Sequence, residues 1–233
     1  MRVLGVIPAR LSSTRLPRKV LREIAGLPMV VQVFRRARRS PLLSDLLVAT
    51  DSEEVAAVCR AHGITAVMTS PDHPSGTDRL WEVSRAHVAE VYVNIQGDEP
   101  LVTPGHIERL VTPFLDDPDV QVTTLKVRAT PAEVASRTAN KVVTDARGDA
   151  LYFSRLPIPC DRDGRGGITY WKHVGLYAYR RAVLERFHSL PASPLEQAER
   201  LEQLRLLENG IPIRVVETEE ETIGVDTEED LRL

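Results

Sequence analysis

Five cations and no acid fall between Arg10 and Arg22, namely Arg10, Arg15, Arg18, Lys19 and Arg22. They follow a short apolar run, Val3 to Ile7, and are interleaved with the hydroxyls of Ser12, Ser13 and Thr14. Arginine grips phosphate oxygens in pairs, and lysine adds a compact point charge. A polyphosphate is the ligand that such a loop suits. The plainer alternative is a solvated basic loop. Pro8 and Pro17 weigh against it, because they hold the loop rigid at little entropic cost.

The second constellation is acidic. Asn94-Ile95-Gln96-Gly97-Asp98-Glu99-Pro100 sets two carboxylates at the end of a buried apolar run. Carboxylate oxygens are preferred ligands of Mg²⁺, which also bridges substrate phosphates. Asp98 reads as such a ligand or as a helix cap, and Glu99 as a ligand or as a structural contact. Near the C-terminus, Gly224-Val225-Asp226-Thr227 offers a further carboxylate after a strand-like stretch. By spacing alone Asp226 serves at least as well as the cap of a helix over Thr227–Leu231, with Glu228 and Glu229 in its first turn. Ser75-Gly76-Thr77-Asp78-Arg79 can read a base edge through amides and hydroxyls, or simply begin a helix. Arg155 can pair with a substrate carboxylate. His173 reads first as a packed histidine and second as a catalytic one. The chain contains no G-x-S-x-G elbow, no P-loop and no G-x-G-x-x-G fingerprint.

Elements must bring these residues together. Strands are expected at Val3–Ile7, Leu46–Thr50, Thr65–Thr69 and Val91–Ile95. Between them fall helices at Met29–Arg39, Glu53–His62 and Thr77–Val88, and Pro104–Leu115 follows. This alternation predicts an α/β fold, a mostly parallel twisted sheet with helices on both faces. Ligands in such sheets bind outside the carboxyl ends of the strands, where both constellations lie. The second half is richer in strands: Val120–Val127, Lys141–Thr144, Ala150–Ser154 and His173–Tyr179. One short helix is expected near Pro131–Ser136. Asp145 to Asp149 reads as the turn of a hairpin, and Asp161 to Gly167 as a mobile loop. Helices at Ala182–His188 and Pro194–Glu208 end the pattern, the latter stopped by Asn209-Gly210.

Composition sets the bounds. The chain has 233 residues, 42% of them hydrophobic and 27% charged, as in an ordinary globular protein able to bury a core. A net charge of -3 excludes a general nucleic-acid binder and makes the basic loop a local feature. The two cysteines, Cys59 and Cys160, match no metal spacing and suggest a reducing compartment, with Cys59 as a small core residue. No leader pattern and no stretch of membrane-spanning length is evident, so the expectation is a soluble cytoplasmic protein with no membrane partner.

Taken together, the motifs resemble the 3-deoxy-manno-octulosonate cytidylyltransferase family, the CMP-Kdo synthetases of lipopolysaccharide assembly. The resemblance spans almost the whole chain. It is carried by Ile7-Pro8-Ala9-Arg10, Ser13-Thr14-Arg15-Leu16-Pro17 with Lys19, Val48-Ala49-Thr50-Asp51, Ser75 to Arg79 and Gln96 to Pro100. Ala150 to Arg155, Lys172 to Tyr177, Leu201-Glu202-Gln203-Leu204-Arg205 and Gly224 to Thr227 complete it. It implies that Arg10, Arg15 and Lys19 hold the triphosphate of CTP, that Ser75, Gly76, Thr77 and Arg79 face the nucleotide, and that Pro8, Ala9 and Ser13 belong to the same nucleotide site. Asp98 and Asp226 would hold Mg²⁺. Arg10, Lys19, Asp98 and Asp226 would form the catalytic set. Gln96, Arg155, His173, Tyr177, Glu202 and Gln203 would line a sugar-acid pocket.

The reaction implied is attack of the anomeric hydroxyl of Kdo on the α-phosphorus of CTP, giving CMP-Kdo and pyrophosphate. A single domain over 1–233 is expected, with about 120–180 as a smaller subregion that makes a homodimer and contacts sugar. Cys160 departs from the aromatic residue the family often carries there. Glu99 favours Kdo, since a sister group acting on the 8-amino analogue tends to carry glutamine at that place. The competing readings are CMP activation of another ulosonic acid and a non-catalytic CTP-binding module. A sensor has no need of paired metal carboxylates, which weighs against the module.

Overall fold

The computed structural model describes residues 1–12 and 16–232. The basic loop's Ser13, Thr14 and Arg15 lie outside the described residues. The chain runs through β1 (Val3–Pro8), a 3₁₀ turn (Lys19–Leu21), the small hairpin β2 (Glu23–Ile24) and β3 (Leu27–Pro28), then α1 (Met29–Ala37). It continues with β4 (Asp45–Thr50), α2 (Glu53–Ala61), β5 (Ala66–Met68), α3 (Gly76–Ala86), β6 (Val91–Asn94) and α4 (Pro104–Asp116). The later elements are β7 (Val122–Arg128), α5 (Pro131–Ala135), β8 (Lys141–Thr144), β9 (Ala150–Ser154) and β10 (Trp171–Arg180). Then come α6 (Arg181–Ser189), α7 (Pro194–Glu199), α8 (Leu204–Glu208) and β11 (Arg214–Glu217).

One mixed sheet carries the strands other than the small hairpin, in the order β11-β7-β10-β6-β1-β4-β5, with β8 and β9 attached beside β10. β1 is parallel to both β4 and β6, and β10 runs antiparallel between β6 and β7. Side chains of β1 alternate between two cores. Val3 and Ile7 pack with α1, α2 and α4 on one face, and Leu4 and Val6 with α3 and α6 on the other. That is why β1, β4 and β6 read as continuous apolar runs: both of their faces are covered. Leu46 packs over the bare Gly5 position of β1, where a Cβ would stand 2.6 Å from Leu46 Cδ1. Cys59 is wholly buried in the first core, as its helical setting implied.

The expected architecture is present, with three differences. The helix expected over Pro194–Glu208 is two helices, α7 and α8, because Arg200 takes a left-handed conformation (φ 56°) between them. The helix expected over Thr227–Leu231 is only a set of turns. There Asp230, not Asp226, is the capping group, since its carboxylate accepts from the amides of Asp226 and Thr227. The small hairpin of β2 and β3 was not anticipated, and the strand-like stretch that precedes Gly224 is β11, which pairs in parallel with β7. The hairpin expected from Lys141 to Ser154 is β8 against β9. Asp161 to Gly167 is a loop, in which the Asp161 carboxylate accepts from the amides of Arg165 and Gly166.

Candidate active site

β1 and β6 are parallel neighbours in register Val6 to Asn94, so both chains leave the sheet on the same side. The chain leaves β1 toward β4 and leaves β6 toward β7, on opposite flanks of the pair in the sheet order, and the loops part over a crevice. The crevice holds a cavity of about 340 Å³, lined by Pro8, Arg10, Ser12, Lys19, Gly76, Gln96, Gly97, Asp98 and Asp226 among others. Gly97 is what lets the two loops close: a Cβ on it would stand 2.7 Å from the Pro8 carbonyl oxygen. The glycine thus turns the β6 loop tightly over the end of β1 and delivers Asp98 to the cavity.

Lys19 enters from the 3₁₀ turn that follows Arg18, a residue in the left-handed region (φ 57°). Its ammonium donates to Asp98 Oδ2 at 2.5 Å and to Asp226 Oδ1 at 2.9 Å. Burial alone would lower the Lys19 pKa. The charges and hydrogen bonds of Asp98 and Asp226 outweigh burial and hold it above the ordinary lysine value. Asp226 is brought to this point by backbone: the Val225 amide donates to the Asp98 carbonyl at 2.9 Å. The strap is held again where the Thr222 hydroxyl donates to Glu99. Burial pushes the Glu99 carboxyl up to about 7, against the opposing effect of that hydrogen bond. Glu99 therefore faces away from the first cavity and borders a second one of about 580 Å³, with Glu133, Lys172, His173 and Glu221.

The residues expected around the nucleotide divide. Pro8, Arg10, Lys19 and Gly76 line the cavity, while Ala9 is buried beneath it. Ser75 caps α3 by accepting from the Asp78 amide and donating to its carboxylate. Thr77 is buried and donates to Glu202 Oε1 at 2.8 Å. Arg79 is wholly buried, with Nη2 3.0 Å from Asp51 Oδ2 and Nη1 on the Thr69 hydroxyl. It ties α3 to the ends of β4 and β5, a task its place in an N-terminal helical turn did not reveal.

The expected sugar residues also divide. Gln96 lines the first cavity and His173 the second. The His173 ring sits against Phe153 and Tyr177, with Nε2 2.9 Å from the Thr124 hydroxyl. Burial lowers its pKa to about 3, so it is a neutral imidazole at pH 7. Tyr177 and Gln203 are buried. Glu202 is held by Thr77, and burial raises its pKa against that bond. Arg155 is engaged with backbone. Its guanidinium donates to the carbonyls of Glu199, Arg137 and Arg200, and its amide to the Glu199 carboxylate. Those bonds fix the break between α7 and α8. Ser12 and Val20 line the first cavity without having been singled out, and Thr222 acts on the site without a motif to mark it.

A family model described as cytidylyltransferase matches residues 4–221. The chain is 60% identical over 232 residues to a 3-deoxy-manno-octulosonate cytidylyltransferase of Acidobacterium capsulatum, covering all of this chain and 94% of that one. It is 54% identical to the protein of the same name in Koribacter versatilis, covering all of this chain and 88% of that one. Among solved structures, a CMP:2-keto-3-deoxy-manno-octonic acid synthetase complexed with CTP superposes with a TM-score of 0.96 at 47% identity. It covers all of this chain and 96% of that one.

Proposed function

Because the chain belongs to the cytidylyltransferase family, we propose that it transfers CMP from CTP to the anomeric hydroxyl of 3-deoxy-manno-octulosonate. The products are CMP-Kdo and pyrophosphate, and the sugar nucleotide serves lipopolysaccharide assembly. One observation carries the reading. Arg10, Lys19 and two carboxylates, Asp98 and Asp226, converge on one cavity at the strand ends.

Asp98 and Asp226 hold the Lys19 ammonium jointly, which supports a site where the two carboxylates share one cation. An all-oxygen pair of this kind fits Mg²⁺, which when bound supplies charge neutralisation at phosphate oxygens. Arg10 and Lys19 meet the negative charge that grows on pyrophosphate as the bond from the α-phosphorus to it breaks. Two of the three ammonium hydrogens of Lys19 go to the carboxylates, which leaves the third for a phosphate oxygen. The close fit of Gly97 on Pro8 holds these groups in one place, and positioning is what phosphoryl-type transfer most needs.

The chain is also read as a cytoplasmic homodimer. Free Cys59 and Cys160 suit a reducing compartment, and exposed Leu151 and Leu156 in the 120–180 subregion suit a contact between copies. No helix among the described residues is long and apolar enough to cross a membrane.

A pyrophosphate-release assay with CTP and Mg²⁺ tests the reading, run with Kdo, its 8-amino analogue and a sialic acid. Release with Kdo above the other two is expected. CTP binding without release on any of the three would make the chain a binding module. Release with another acid alone would move the substrate.

A further inference from the structure

Buried polar atoms without partners are uncommon and costly, so each calls for a reason. Among the described residues Asn94 has two of them, Oδ1 and Nδ2, and Tyr177 Oη and Gln203 Nε2 are two more. Asn94 and Tyr177 are neighbours. Asn94 closes β6 and lies directly opposite Tyr177 of β10 in the antiparallel ladder, so the two side chains share a sheet face. Tyr92, two residues before Asn94, packs on that face with α3, α6 and the Leu201–Leu204 segment that carries Gln203. Asn94 Nδ2 lies 3.7 Å from where a Cβ on Gly76 would stand, and Gly76 lines the catalytic cavity. Only a residue without a side chain therefore parts the amide from the cavity at that point.

Packing gives no reason for an amide here. Asn94 is wholly buried among the apolar side chains of β1, β6 and β10, where leucine would fill similar space and leave nothing unpaired. We propose that Asn94 is a contact for a hydroxyl of the sugar acid. The proposal rests on the reading of this chain as a CMP transferase. An amide both accepts, through Oδ1, and donates, through Nδ2, and a sugar hydroxyl does both in return. A carboxylate would call for donors alone. Tyr177 lies opposite the amide in the ladder, and Gln203 carries a further unpaired donor. Contact requires the first turn of α3 to move aside, and at Gly76 that turn has no side chain to obstruct it. A buried amide kept for substrate and not for the fold is a stability cost of the sort functional sites carry.

Asn94→Leu tests this, with Asn94→Ser as the second variant should the first not fold. The sugar-acid KM in pyrophosphate release should rise about tenfold or more, the loss expected for one substrate hydrogen bond. CTP affinity by calorimetry should stay within about twofold of the parent, and the Tm of the leucine variant should equal or exceed the parent's. An unchanged sugar KM together with a lowered Tm would overturn the proposal and make Asn94 a structural residue. Lost CTP affinity with a normal sugar KM would overturn it too, by assigning the amide to the nucleotide. If the parent releases no pyrophosphate with any ulosonic acid, the functional reading fails separately. Calorimetric titration of Kdo into parent and variants then decides on Asn94: weaker binding by the variants supports it, and equal binding overturns it.

Discussion

The two ends of the candidate site are built in opposite ways. At the phosphate end, loops from β1, β6 and the C-terminal strap bring charged groups into a cavity, and Lys19 is already paired with Asp98 and Asp226. At the proposed sugar end, side chains from β6, β10 and the α7–α8 break are buried in a layer of packing. Thr77 bonds Glu202 there, while Asn94, Tyr177 and Gln203 keep unpaired atoms. A phosphate end can be assembled in advance because opposite charges satisfy one another without a ligand. A surface that reads neutral hydroxyls has no such internal substitute, so its polar atoms wait unpaired or turn to their neighbours.

The largest effect should come from the charged end. Asp98→Asn keeps shape and removes charge, and turnover should fall by about 10² or more while CTP still binds. Turnover within about threefold of the parent would remove Asp98 from the reacting groups and erase the contrast. Lys19→Ala should weaken CTP binding by about tenfold, as expected for one charge-assisted phosphate contact. Unchanged affinity by calorimetry would mean that the lysine serves only the two carboxylates.

Arg155→Ala probes the other end. With three carbonyls losing their donor, stability should fall by about 1–3 kcal/mol, a Tm drop of about 2–12 °C. A raised Kdo KM with an unchanged Tm would instead return Arg155 to substrate recognition.

The smallest effect concerns pH. Burial holds His173 neutral, with a pKa of about 3 against an ordinary 6.5. The unfolded chain therefore takes up a proton over that window that the folded chain refuses, so stability is lost as pH falls below about 6.5. The Tm of the parent should drop more steeply from pH 6.5 to 4.5 than that of His173→Phe. Parallel curves would show that His173 does not contribute.

Much of the fold was legible. β8 and β9 lie where the alternation and the Asp145–Asp149 turn put them, because short-range pattern and turn chemistry agree there. The break at Arg200 was not legible, since Pro194 to Glu208 is an unbroken run of good helix formers. What breaks it is distant: Arg155 holds the carbonyls of Glu199 and Arg200. β11 carried a signal, the alternation of Ile211, Ile213 and Val215, though Pro212 and the short span blurred its bounds. The charged end was readable because its residues cluster in sequence at strand ends. The inward turn of Arg79 was not, because its partner Asp51 comes from another strand end, 28 residues away.

The Lys19–Asp226 contact joins positions 207 residues apart, and Asp226 lies beyond Glu217, where the last strand of the sheet ends. Closing so long a loop has an entropic cost that only a completed sheet can offset. With Asp226 in the reacting set proposed above, activity should be lost on loosening of the C-terminal strap before the core melts, a difference that activity and near-UV circular dichroism followed along one thermal ramp would read.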